Sequence, residues 1–182
     1  AQDIEAGFTL SAVMQVDLDE DGNLDLIAAS LFTDSLKILL QESLGKYTKP
    51  AELDVGFSPM AVTIDDFDGD GNWDLISSNR ASNSTSILLG RGDGSFQAAG
   101  HFATGITTTS VEAEDFNGDG LPDIVATNSD SNDVSVLLSG KAIIPSINLS
   151  AEVVRFRDVD KSVKFLMVSN VGLGPLTISS VV

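Results

Sequence analysis

The chain has 182 residues and a formal net charge of −17, because 27 aspartate and glutamate residues outnumber 10 lysine and arginine residues. This charge disfavours binding to the phosphates of a nucleic acid, and the absence of cysteine excludes disulfides, cysteine-ligated zinc and iron–sulfur clusters. An apolar share of 42% is too high for a disordered acidic tail. The excess of carboxylates is therefore the feature to be explained.

The most informative pattern is an internal repeat with a period of 49 residues. Acidic segments begin at Asp17, Asp66 and Asp115, and many other positions keep the same offset without an insertion. The matching sets include Gly7, Gly56 and Gly105; Val13, Val62 and Val111; and Leu39-Leu40, Leu88-Leu89 and Leu137-Leu138. A fixed period of this length indicates a protein built from stacked structural units.

Within each repeat, apolar residues alternate at the two-residue period of a β-strand. In the second repeat, strands are predicted at 60–64, 73–77 and 85–89, with a fourth beginning at Phe96 and glycine, asparagine or serine turns between them. No long stretch shows helical spacing. Four short strands per repeat are typical of a propeller blade, so the pattern predicts an all-β fold with three blades.

The register of the repeat ends after Gly140. Residues 143–182 are predicted to form a different all-β segment, with strands at 153–156, 163–168 and 176–178. This length supplies about half of an immunoglobulin-like sandwich. We therefore divide the chain into three blades over residues 1–142 and a partial immunoglobulin-like segment over residues 143–182.

Each repeat contains a nine-residue loop with oxygen-bearing side chains at positions 1, 3, 5 and 9 and a glycine at position 6. Calcium takes six to eight oxygen ligands, and a glycine allows the tight turn that directs alternate side chains inward. Position 7 would coordinate through its backbone carbonyl. The sequence predicts about three Ca²⁺, one per repeat, at Asp17, Asp19, Asp21, Asn23 and Asp25; at Asp66, Asp68, Asp70, Asn72 and Asp74; and at Asp115, Asn117, Asp119, Leu121 and Asp123.

Other interpretations of these loops fit less well. Aspartate–glycine turns can exist without a metal. In three such turns in phase, however, the crowded carboxylates would repel each other if no cation were bound. An EF-hand needs helices and a glutamate at position 12, whereas position 12 of the first loop is Ala28 and its flanks are strand-like. Magnesium takes fewer protein ligands and retains its water.

The three loops, the Leu-Asp-Leu-type strands that follow them and the segment Leu88 to Phe96 resemble the FG-GAP/VCBS repeat family, which also forms the integrin α-subunit propeller. The resemblance covers residues 4–140. It implies a β-propeller with calcium in the loop that joins two strands of each blade, bound at positions 1, 3, 5 and 9. The segment from Val168 to Ser179 resembles the start of an immunoglobulin-like choice-of-anchor or ASH-type domain.

Three blades are fewer than the four to eight of a closed propeller. The third repeat lacks an outer strand in register, whereas Gln2 to Gly7 precedes the first repeat at an outer-strand position. An N-terminal strand placed in this way would complete the last blade of a ring. The chain is therefore either a fragment of a longer propeller or one half of a six-blade homo-oligomeric ring.

The expected function is that of a non-catalytic, calcium-binding module of an extracellular or cell-surface protein, mediating binding or adhesion to a protein or glycan. Bacterial export would fit the absence of cysteine. No catalytic or cofactor-binding residue is predicted, and no segment is long enough for a membrane span. The alternatives are a lectin-like propeller or an accessory segment of a larger secreted enzyme. Arg91-Gly92-Asp93 matches the integrin-recognition tripeptide but is expected to be part of a turn, and the single histidine, His101, is expected at the surface.

Overall fold

The computed structural model describes Ile4, Ala6 and residues 9–139 and 166–169. Within this part of the chain, all regular secondary structure is β-strand, so none of it is a helix that could span a membrane. The strands are β1 (Leu10–Val16), β2 (Asp25–Ser30), β3 (Ser35–Leu39), β4 (Gln41–Ser43), β5 (Lys46–Tyr47), β6 (Ala51–Asp54), β7 (Pro59–Asp65), β8 (Asp74–Asn79), β9 (Ser84–Leu88), β10 (Gly100–Ala103), β11 (Thr108–Glu114), β12 (Asp123–Asn128), β13 (Asp133–Leu138) and β14 (Leu166–Ser169).

These strands form three antiparallel four-stranded sheets, one for each repeat. The strand orders are β1-β2-β3-β6, β7-β8-β9-β10 and β11-β12-β13-β14, and β4 and β5 form a separate small hairpin. The first strand of the second sheet, β7, contacts both β1 and β11, so the first strands of successive sheets are neighbours. This arrangement confirms the all-β prediction and agrees with consecutive blades of a propeller.

Two apolar cores hold the three blades together. Side chains on adjacent positions of a strand point to opposite faces, so Leu75 of β8 packs into the core shared with the first blade and Ile76 into the core shared with the third. In β9, Leu88 and Ile87 are divided between the two cores in the same way. Burying a leucine or isoleucine contributes about 1.5–3 kcal/mol, so the middle blade is stabilised from both sides.

The connections between blades also contain a hydrogen bond that recurs with the 49-residue period. The backbone N–H of Ser58 donates to Asp34 Oδ1 of the preceding blade at 2.8 Å, and that of Thr107 donates to Asn83 Oδ1 at 2.8 Å. Gly56 precedes one of these contacts, and a Cβ there would lie 2.6 Å from the Asn79 carboxamide nitrogen. A glycine is therefore required where one blade passes to the next.

Two strands differ from the sequence-based expectation. The fourth strand of the second blade begins at Gly100 rather than Phe96, because Phe96 instead forms an isolated bridge with Gly90. The third sheet does contain a fourth strand, β14, which comes from beyond the point where the repeat register ends. It pairs with β13 through Leu138 and Leu166, since strand pairing needs only backbone groups and not the repeat register.

Several other predictions fall on parts of the chain that the structure does not describe. They are the outer strand at 2–7, apart from Ile4 and Ala6, the glycine at position 7, and the predicted strands at 153–156 and 176–178. The domain boundary at residue 142 and the immunoglobulin-like identity of the last segment therefore stay predictions.

Candidate metal centre

The three acidic loops occupy the same place in each blade, between its first and second strands: β1 and β2, β7 and β8, and β11 and β12. In the second loop, Asp66 at position 1 accepts hydrogen bonds from the backbone N–H groups of Asp70 at 3.0 Å and Gly71 at 2.9 Å. Its carboxylate therefore holds the turn closed from within. The same bonds occur in the other loops, from Asp21 and Gly22 to Asp17 and from Asp119 and Gly120 to Asp115.

Positions 3 and 5 extend this local pattern. Asp68 Oδ1 accepts the N–H of Asp70 at 3.2 Å, and Asp70 Oδ1 accepts the N–H of Asn72 at 2.8 Å. Gly71, at position 6, has a φ of +90°, in the left-handed region that favours glycine. The loop thus turns back on itself, with its carboxylates arranged around its own amide groups.

Position 9 differs from the other positions because its carboxylate is fully buried. Asp74 Oδ2 accepts the N–H of Phe67 at 2.8 Å, and Oδ1 accepts the N–H of Gly90 at 2.7 Å. Gly90 follows the third strand of the blade, so this one side chain connects the loop to a segment 16 residues away. The equivalent bonds run from Leu18 and Gln41 to Asp25, and from Phe116 and Ser139 to Asp123.

The carboxylates converge in two of the three loops. Asp66, Asp68 and Asp74 each offer an oxygen within 4.8 Å of the other two. In the first loop the converging set is made by positions 1, 3 and 5, which are Asp17, Asp19 and Asp21. An all-oxygen donor set of this kind suits a hard cation such as Ca²⁺.

The third loop is different because its position 3 is an asparagine. Among the described residues, no third trio of acidic, histidine or cysteine ligands converges to the same degree. The Asn117 amide nitrogen donates to Asp123 Oδ1 at 3.2 Å, while Asn117 Oδ1 accepts the N–H of Asp119 at 2.8 Å. Part of the charge that a cation would balance is therefore absent, and an internal hydrogen bond takes its place.

The seventh positions do not all behave alike. Asn23 donates from its side chain to Asp21 Oδ2 at 2.8 Å, whereas Leu121 offers no polar side-chain atom. All three seventh residues donate their backbone N–H to position 5 of their loop. Their shared contact is this backbone N–H donation, and metal coordination by the carbonyl of position 7 stays a prediction.

Burial and like-charge repulsion shift the pKa values of the loop carboxylates. Burial raises the pKa of Asp74 to about 6, with further increases from the charges of Asp68 and Asp70, against the lowering effect of hydrogen bonds from Gly90 and Phe67. Burial and the neighbouring Asp70 also raise the pKa of Asp68. The pKa of Asp115 is lowered, mainly by the hydrogen bond from the Gly120 N–H. A bound cation would oppose the increases, because it favours the ionised carboxylates.

The glycine-rich segment that contains the tripeptide packs onto the second acidic loop. A Cβ on Gly92 would collide with the side chain of Asn72, which explains the glycine. The Arg91 guanidinium donates to the Phe96 carbonyl at 3.2 Å, and Asp93 Oδ1 accepts the N–H of Ser95 at 3.0 Å. Both charged side chains of the tripeptide therefore make hydrogen bonds within their own turn.

The single histidine lies on the outer strand of the second blade. His101 is exposed, and its Nδ1 is 2.9 Å from Oγ of the buried Ser86. At the positions 49 residues earlier, Lys37 and Glu52 form an ion pair. The same cross-strand pair of positions therefore makes a polar contact in both blades, as an ion pair in the first and as a hydrogen bond in the second. The sequence pattern did not predict this contact.

Comparison with family models gives two overlapping matches to the FG-GAP-like repeat, over residues 17–77 and 66–126. The chain belongs to the FG-GAP-like repeat family. The matches begin at position 1 of the first and second acidic loops, and together they include all three loops. FG-GAP repeats are typical of extracellular or cell-surface proteins and often bind Ca²⁺. Comparison with curated proteins gave no significant match.

Proposed function

We propose that this FG-GAP protein is a non-catalytic, calcium-binding β-propeller module of an extracellular or cell-surface protein, and that it mediates binding or adhesion. The observation that carries the calcium assignment is the occurrence of the same ordered acidic loop at the same place in three successive blades. In the first two loops the converging ligands are all carboxylate oxygens, the donor type that Ca²⁺ prefers.

Calcium in these loops has a structural role. Eleven of the 27 acidic residues lie at ligand positions of the loops, and their mutual repulsion falls when a divalent cation is bound. Positions 1, 3 and 5, together with position 9 and the carbonyl of position 7, supply the oxygens. The binding role is supported by family membership, because modules of this class occur mainly outside the cell.

The calcium assignment is tested by thermal unfolding in excess Ca²⁺, in excess Mg²⁺ and in a chelator. A ligand that binds only the folded state stabilises it by RT ln(1 + [L]/Kd), which is about 2.7 kcal/mol at a hundredfold excess over Kd. We expect Tm to rise in millimolar Ca²⁺, to rise less in Mg²⁺ and to return to its starting value on chelation. Identical melting curves in all three buffers would contradict the proposal.

A further inference from the structure

The position 9 aspartates, Asp25, Asp74 and Asp123, have an environment that calcium coordination by itself does not explain. All three are completely buried. Each accepts a backbone N–H from the second residue of its acidic loop and another from the segment that follows the third strand of its blade. The same pair of contacts is present in all three blades.

The other loop aspartates make only local contacts. In the second blade, Asp66, Asp68 and Asp70 bond to amides no more than five residues away, and Asp68 and Asp70 are exposed. Asp74 instead joins residues 67 and 90, which are 23 positions apart in the sequence. Its bonds are therefore part of the tertiary structure of the blade and not only of the loop.

A buried carboxylate with these two donors is costly to remove. Hydrogen bonds to a charged group are stronger than neutral ones, and a buried amide that loses its acceptor keeps its full desolvation penalty. Loss of the Asp74 carboxylate would leave the Phe67 or Gly90 amide without an acceptor, inside a site that excludes water. The carboxylate thus stabilises the blade through two donors that a metal ion could not replace.

We propose that Asp25, Asp74 and Asp123 are positioning residues, which hold each acidic loop against the end of the third strand in the metal-free protein. Calcium then binds to a loop that already has its final shape. Position 9 therefore has two roles: its carboxylate is a candidate metal ligand, as in the trio of Asp66, Asp68 and Asp74, and its two hydrogen bonds hold the loop in place before the metal binds. The inference depends on the proposed function only for its statement about calcium.

The test compares Asp74→Asn with the matched variant Asp68→Asn, which removes the same charge from the same loop. In chelator, D74N should lower Tm by roughly 5 °C or more, because its carboxamide can accept only one of the two amides. D68N should leave the chelator Tm unchanged or slightly higher, and should reduce the rise in Tm that Ca²⁺ produces in the parent protein. Equal chelator Tm values for D74N and the parent protein would overturn the proposal.

Amide hydrogen exchange of the unsubstituted protein provides a second measurement that does not depend on D74N folding. In chelator, the Phe67 and Gly90 amides should already be protected, and Ca²⁺ should slow their exchange by no more than it slows the exchange of the core amide of Ile76, because both then follow the stability of the whole fold. Rapid exchange of both amides in chelator would overturn the proposal. If Ca²⁺ affects neither Tm nor exchange while D74N still unfolds early, the calcium function fails but the positioning role stands.

Discussion

One buried hydroxyl in the second blade makes no hydrogen bond. Thr85 is completely buried in β9, and its Oγ1 is the one buried side-chain polar atom among the described residues that lacks a partner. It shares a face of the strand with Ile87, which packs in the core between the second and third blades. The equivalent residues, 49 positions away on either side, are Leu36 and Val134. The other two repeats thus place an apolar side chain at this position.

We predict that Thr85→Val stabilises the protein. A buried hydroxyl without a partner carries a desolvation cost of about 1–3 kcal/mol, and valine has nearly the same shape. Some of this gain is offset by imperfect packing of the new methyl group, so we expect an increase of about 1 kcal/mol in the free energy of unfolding. For a chain of this length, that corresponds to about 2–4 °C in Tm.

The assay is urea unfolding in chelator, read as a higher midpoint with an unchanged m-value. Thr108→Val is the matched control, because Thr108 is equally buried but its Oγ1 donates to Asn128 Oδ1 at 3.1 Å. That variant should lose about 1–2 kcal/mol. If T85V is destabilised as much as T108V, the Thr85 hydroxyl has a partner in solution and the reasoning is wrong.

Two other predictions concern the loops. Burial raises the pKa of Asp74 from 3.8 to about 6, so the folded protein binds this proton more tightly than the unfolded chain does. The stability that the proton adds is fully present below about pH 4 and is lost as pH rises through 6, while the two backbone hydrogen bonds to the side chain remain. Urea unfolding in chelator should show this decrease between pH 4 and 7, and a flat profile would contradict it. Because Asn117 reduces the negative charge of the third loop, we expect its site to bind Ca²⁺ most weakly, and Asn117→Asp should strengthen the affinity of that site several-fold. Titration calorimetry measures this affinity. A third site that is already the tightest in the parent protein would refute the expectation.

The period, the strands and the acidic loops could be predicted from the sequence because they depend on local rules. Alternation of apolar residues marks the faces of β7 and β8, and the bonds from Asp70 and Gly71 to Asp66 join residues only four or five positions apart. The predicted start of the fourth strand at Phe96 was wrong because local pattern alone does not show which residues pair. Phe96 is apolar and follows a glycine turn, but it pairs with Gly90 inside the loop between β9 and β10 and not with a strand of the sheet.

An all-β repeat with three acidic loops in phase can be predicted from the sequence, because strand alternation and loop spacing follow from short-range patterns. The burial of one aspartate in each loop is visible only in the folded protein, since Asp74 meets its second donor, Gly90, 16 residues further along the chain. The structure likewise decided that Thr85 lies unpaired between two blades and that β14 completes the third sheet. These properties depend on which distant segments pack together, and that is set by the burial of apolar faces between blades.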